Sequence, residues 1–150
     1  MFMPLDTSLI EQRLRDAVPE LKKVEGAAEY AAVQDIRGFT PGSAYVVLAG
    51  EKNLEEPEAQ PGLRRAARSE PLATFGVIIA VRNHSGRNGS EALKDAMPLI
   101  GAVRDALIGW TPGENQMRPI AWVKGDVMDY DKSTLLWADV FTTKRFIGGS

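Results

Sequence analysis

Leu72-Ala73-Thr74-Phe75-Gly76-Val77-Ile78-Ile79-Ala80-Val81 is the most continuous apolar run in the chain. Val and Ile dominate it, and the turn-forming segment Arg82-Asn83-His84-Ser85-Gly86-Arg87-Asn88-Gly89 closes it. Strand-favouring residues bounded by turn chemistry predict a buried central strand. Downstream, Leu93, Met97, Ile100, Val103 and Leu107 recur at spacings of three and four. That spacing places one apolar stripe on one helix face. A buried strand followed by an amphipathic helix is the nucleus of a two-layer α/β arrangement. No residue in this nucleus is an obvious chemical tool, which points to scaffold or assembly work.

Upstream of this nucleus, Asp6 or Thr7 can cap a first helix whose apolar face is Leu9, Ile10, Leu14, Ala17 and Val18, with Pro19 ending it. Leu21-Lys22-Lys23-Val24 reads as a short edge strand, its lysines discouraging edge pairing. Ala27 to Val33 is alanine-rich and predicts a short helix. Phe39-Thr40-Pro41-Gly42 is a turn, and Ala44 to Ala49 a second strand. Gly50 to Ser69 differs in kind. It holds Pro57, Pro61 and Gly62, with Glu51, Glu55, Glu56 and Glu58 ahead of Arg64, Arg65 and Arg68. A long charged loop, an arm ordered by a partner, or an extended hairpin all fit this composition.

On the C-terminal side, Asn88 and Glu91 match a capping box, while Pro98 falls inside the helical pattern. The phase of Leu93 favours a helix kinked at Met97-Pro98 over one starting at Asp95. Gly109 and Pro112 supply the stop. Ile120 to Met128 and Leu135 to Thr143 read as a hairpin around Asp129-Tyr130-Asp131-Lys132-Ser133. In its second strand Leu136, Ala138 and Val140 would line one face, and Leu135, Trp137 and Phe141 the other, with Asp139 between them. Two partly apolar faces suggest one against the core and one against a partner. The face carrying Trp137 and Phe141 is the expected apolar interface.

Composition narrows the classes. At 150 residues the expectation is a single domain, 1–150, with the charged segment 50–69 as its loop or arm. The absence of cysteine excludes disulfides and thiolate metal sites. A net charge of −2 is neither a nucleic-acid-binding excess nor a disordered polyelectrolyte. No signal peptide or membrane span is read, so a soluble cytoplasmic protein is the default expectation.

The search for chemistry returns little. Neither GxGxxG nor GxxxxGK[ST] occurs. The one histidine, His84, sits beside Ser85, and adjacent residues of an extended segment point apart. Asp126, Asp129 and Asp131 form the densest carboxylate cluster. As a calcium loop, however, it has Thr134 where glycine belongs and Val140 where glutamate belongs. A solvated hairpin turn is the plainer reading. Trp110, Trp122 and Trp137 are read as core or interface residues. No catalytic residue, metal site or cofactor is expected.

Several stretches then occur in a telling order. Ile10-Glu11-Gln12-Arg13-Leu14 leads into Val18-Pro19. Phe75 to Asn83 follows, then Leu107-Ile108-Gly109-Trp110-Thr111-Pro112, then Leu135-Leu136-Trp137-Ala138-Asp139-Val140-Phe141-Thr142. From Leu5 to Thr143 this order and spacing resembles the tail terminator (tail completion) proteins of long-tailed bacteriophages and prophages. The resemblance implies an α+β fold, a mixed, largely antiparallel sheet with two or three helices packed on one face. It implies a structural, non-enzymatic virion protein that forms a homo-hexameric ring, caps the tail tube, stops its polymerisation and provides the head-joining surface. Its partners would be itself, the tail tube protein and a head-completion or connector protein. DNA would pass through only as cargo, and no membrane is involved. Its place would be the head-proximal end of the tail, after assembly in the host cytoplasm. The 50–69 segment carries no signature of that family. Its Glu55, Glu56, Glu58, Arg64, Arg65 and Arg68 are expected to meet neighbouring subunits on grounds of charge alone. The alternatives are another tail or connector subunit such as a tube protein, a small enzyme using His84 and Asp126 to Asp131, and a small-molecule-binding α/β domain.

Overall fold

The computed structural model describes residues 3–54, 70–83, 89–113 and 117–145, the side chains at 89–92 and 95 excepted. The elements are α1 (Thr7–Ala17), β1 (Lys23–Glu25), α2 (Ala27–Ala32), a 3-10 turn (Ile36–Gly38), β2 (Ser43–Asn53), β3 (Pro71–Arg82), α3 (Gly89–Leu107), β4 (Ala121–Tyr130) and β5 (Thr134–Lys144). The strands make one sheet in the order β1-β2-β3-β5-β4. β1 runs parallel to β2, and every other junction is antiparallel. The fold is therefore α+β with a mixed, largely antiparallel sheet.

The long apolar run lies in β3, the middle strand. It reads as continuous because both of its faces are covered. Phe75, Val77 and Ile79 enter the main core with Ile10 and Leu14 of α1 and with Ile100, Val103 and Leu107 of α3. Ile78 and Ala80 enter a second cluster with Tyr45 of β2, Leu136 of β5 and Phe39, against which Tyr30, Val33 and Ile36 pack. So α1 and α3 cover one face, and α2 with the 3-10 turn covers part of the other.

The local reasons follow the sequence. Asp6 caps α1, its Oδ1 accepting from Ser8 N at 3.0 Å. Arg13 Nε donates to Ala106 O at 2.9 Å and joins the two long helices, and its guanidinium lies 5.3 Å from the Trp110 ring centre. Arg15 Nη2 donates to Val24 O at 2.8 Å, tying α1 to β1. The α3 helix runs through Pro98, so a later start at Asp95 is not what forms. The proposed Asn88–Glu91 capping box lies outside the described residues and side chains. Gly109, at φ +83°, stops the helix in the left-handed conformation that glycine adopts without steric cost.

Three expectations are corrected. Met97 is not part of the buried stripe; it is 58% exposed. The stripe is Ala96, Ile100, Val103 and Leu107, with Leu93 half-buried, which keeps closer to the 3.6-residue period than Met97 does. The strand before the charged segment does not stop at Ala49. It bulges between Leu48 and Gly50 and continues to Asn53, because Leu72 and Ala73 offer a ladder to Lys52 and Glu51. Glu51 is then held inside the subunit, pairing with Arg145 at 3.1 Å and accepting from Leu5 N. The third correction concerns β5, whose two faces are both used within the subunit. Phe141 is fully buried and stacks on Phe75 with ring centres 5.5 Å apart, so it is core and not interface. Its face is the one that α1 and α3 cover, while Leu136 on the other face lies in the second cluster.

Candidate functional site: a clasped edge strand

The sheet ends at β4, and β4 is unlike its neighbours. Every residue of the strand except Gly125 is exposed. Trp122 is 43% exposed, Val123 49%, Val127 38%, Met128 47% and Tyr130 50%. A row of large apolar side chains on an open strand marks a contact surface more often than a finished exterior.

Besides its ladder to β5, this strand is tied down by a cluster centred on Asp139 of β5, which has no solvent exposure. Arg104 of α3 reaches it with two hydrogen bonds, Nε to Oδ2 at 2.9 Å and Nη2 to Oδ1 at 2.8 Å. The same Oδ1 accepts from the indole nitrogens of Trp137 at 3.0 Å and Trp122 at 3.2 Å. The guanidinium lies 4.7 Å from the Trp122 ring centre and 5.8 Å from that of Trp137. The Asp139 carboxylate raises the Arg104 pKa above its ordinary value, chiefly through their hydrogen bonds. A buried carboxylate is tolerable only when paired and fully hydrogen-bonded, and here it is.

Gly125 makes room for the cluster. It sits opposite Asp139 in the β4–β5 ladder. A Cβ there would lie 2.4 Å from Asp139 Oδ1, 2.6 Å from Trp137 Cζ2 and 2.7 Å from Arg104 Nη2. One aspartate thus gathers α3, β4 and β5, and the edge strand keeps its place although α3 does not bury it. The arrangement orients a surface. It holds no nucleophile beside a base, and its carboxylate is consumed by its donors.

The other residues singled out in the sequence fall as follows. Trp137 is half-buried with its indole committed to Asp139. Glu55, Glu56, Glu58, Arg64, Arg65 and Arg68 lie outside the described residues, as does His84. Asp126 and Asp129 are exposed on β4. Asp131 caps the hairpin turn, its Oδ1 accepting from Ser133 N and Thr134 N, each at 2.8 Å. Those bonds hold its carboxyl below the ordinary aspartate range. Among the described residues no group of three or more His, Cys, Asp or Glu could hold a metal ion, and no helix is long and apolar enough to cross a membrane.

Arg104 and Gly125 were not singled out in the sequence. A signal for Arg104 exists: Asp139 alternates with Leu135, Trp137 and Phe141 on one strand face. A carboxylate on an apolar face needs a cation, and the helix that covers this face offers Arg104 beside Val103. Gly125 carries no comparable signal.

No curated protein matches the chain. Among solved structures, a chain described as "Virion of native gene transfer agent (GTA) particle" is similar at 16% identity over 94% of both chains, with a TM-score of 0.56, which shows a shared fold. The sequence profile of the family described as "Phage tail terminator protein" matches residues 1–149. With the profile spanning almost the whole sequence, this chain belongs to the phage tail terminator family, a family of structural virion proteins.

Proposed function

We propose that this chain closes into a ring, six copies in the form the family resemblance implies, that caps the tail tube and stops its polymerisation. The ring then offers the surface to which the filled head is joined. Its partners are further copies of itself, the tail tube protein and a head-completion or connector protein, with DNA passing through the lumen. The protein works through surfaces and needs no cofactor.

The observation that carries this reading is the clasped edge. A subunit that worked alone would have no use for five half-exposed large apolar residues along one strand, or for a buried ion pair that holds the strand in place. An assembling subunit needs both. Contacts of this kind supply affinity through apolar area and register through charge.

The test is direct. Purified protein is examined by light scattering and negative-stain imaging, then added in excess to polymerising tail tube protein of the same phage. Discrete rings and shortened or arrested tubes are expected. Open-ended polymers of this chain alone would identify a tube subunit instead. A monomer that leaves tube length unchanged would overturn the reading.

A further inference from the structure

The two edges of the sheet are different strands, β1 and β4. A ring needs two different, complementary patches, one at each side of the subunit. We propose that the ring is closed by edge-to-edge pairing, β4 of one copy against β1 of the next, in a single register that sets Asp126 against Lys23 and Lys124 against Glu25. This rests on the ring reading above.

Strand direction agrees first. β1 is parallel to β2, and three successive antiparallel junctions lead from β2 through β3 and β5 to β4. β4 therefore runs opposite to β1. When copies repeat by rotation about an axis along the strands, neighbouring β4 and β1 meet antiparallel.

Length agrees next. Two irregularities, between Trp122 and Lys124 and between Val127 and Asp129, bracket the regular stretch Lys124–Val127. β1 offers a comparably short partner, Lys23–Glu25.

Side-chain faces and charges then select the register. Lys23 and Glu25 stand opposite Ser43 and Tyr45. Lys124 and Asp126 stand opposite Val140 and Ala138. Followed across the ladders of β2, β3 and β5, all four side chains belong to the same sheet face. With Asp126 opposite Lys23, Lys124 falls opposite Glu25, and both cross-strand pairs are of opposite charge. A slip of two residues in one direction sets Lys124 against Lys23; in the other it sets Asp126 against Glu25. A slip of one puts the charges on opposite faces. In the favoured register Gly125 stands opposite Val24. Trp122 and Val127 then flank that pair on the helix-covered face, where a neighbour would cover them. In the isolated subunit Lys23 and Glu25 bond each other at 3.1 Å, so neither is buried alone before assembly.

The chain has no cysteine, which allows a clean disulfide trap. Lys23→Cys with Asp126→Cys puts two thiols directly opposite at the junction. Lys23→Cys with Lys124→Cys, and Glu25→Cys with Asp126→Cys, put them on the diagonal. Directly opposed Cα atoms lie about 4.5–5.5 Å apart, within disulfide reach, whereas diagonal ones lie about 7–8 Å apart. Ring formation by each variant is first verified by light scattering under reducing conditions. Mild oxidation should then convert the first variant into a ladder of covalent multimers on a non-reducing gel, collapsing to monomer on reduction. The two diagonal variants should stay largely uncrosslinked. Rings that give no ladder with the first pair, or give it equally with a diagonal pair, overturn the junction while leaving the ring reading intact. Covalent dimers from either single-cysteine variant would indicate a two-fold contact and also overturn it. A parent chain that forms no ring at any concentration overturns both. As a second measurement, Lys23→Glu should reduce the ring fraction and Asp126→Lys in the same chain should restore it; a ring fraction indifferent to both contradicts the register.

Discussion

Arg104 on α3 grips Asp139 on β5 through two parallel hydrogen bonds of 2.9 and 2.8 Å, although the aspartate has no contact with solvent. The Arg104 side chain is itself 31% exposed, so the pair is not sealed from water on the arginine side. Removing the cation leaves a buried carboxylate with only two indole donors. Arg104→Ala should destabilise the subunit by about 3 kcal/mol, the low end for breaking a buried pair because of that exposure. The check is urea unfolding at a protein concentration low enough to keep the subunit monomeric. Replacing both partners with apolar residues, Arg104→Met with Asp139→Leu, should cost less than Arg104→Ala alone, because no charge is then stranded.

Gly125→Ala should destabilise by about 1–3 kcal/mol, the usual range for overpacking a filled site. The added carbon meets a carboxylate oxygen, an indole and a guanidinium at under 3 Å. Near-ultraviolet circular dichroism reports the tryptophans directly. A reduced tryptophan signal and a lower melting temperature are expected together, and an unchanged spectrum would mean that β4 moves aside without disturbing the cluster.

The hairpin turn has its own acid limit. Asp131 has its pKa lowered by the amides of Ser133 and Thr134. A depressed carboxyl stabilises the turn at pH values above the ordinary aspartate range, about 3.9. That contribution is lost as pH falls through the lower, folded-state value. In an NMR titration the Ser133 and Thr134 amides should therefore keep their shifts down to pH 4 and move together only below it. Movement centred above pH 4 would contradict the bonding.

The charged arm can be tested by reversal. Arg64, Arg65 and Arg68 to Glu should weaken ring formation, more so at low salt, where screening is least. Reversing Glu55, Glu56 and Glu58 to Lys in the same chain should restore it. Exposed pairs contribute about 0–1 kcal/mol each, so three such pairs would give a modest loss of ring fraction and not its abolition. Glu51 is best left alone because Arg145 already holds it. Assembly of the triple reversal like the parent at low salt would remove the arm from ring closure.

Much of the fold was legible because β3 states it directly. Ten consecutive residues dominated by Val, Ile and Phe between turn signals, followed by a stripe at helical spacing, leave few arrangements open. The hairpin and the short basic edge strand were legible for similar local reasons. The faces of β5 were not. Phe141 and Leu136 alternate as apolar residues on both sides, and nothing local says that α2 and its 3-10 turn return to cover the second face. That covering is a long-range event, and it buries Leu136 within the subunit just as α1 and α3 bury Phe141. The clasp was half legible: Asp139 stood out on an apolar face, but its partner lies 35 positions away on another element.

The two bulges in β4 bear on the subunit before it meets any neighbour. A straight, uninterrupted edge rich in Trp, Val and Met would template cross-β growth between chains that meet by chance. Each bulge adds local twist and breaks the ladder, so a stray strand finds only a few residues in phase. Pairing over so short a length is marginal by itself. On the ring reading, a subunit that still waits for its neighbour therefore exposes an edge that is a poor template for fibres.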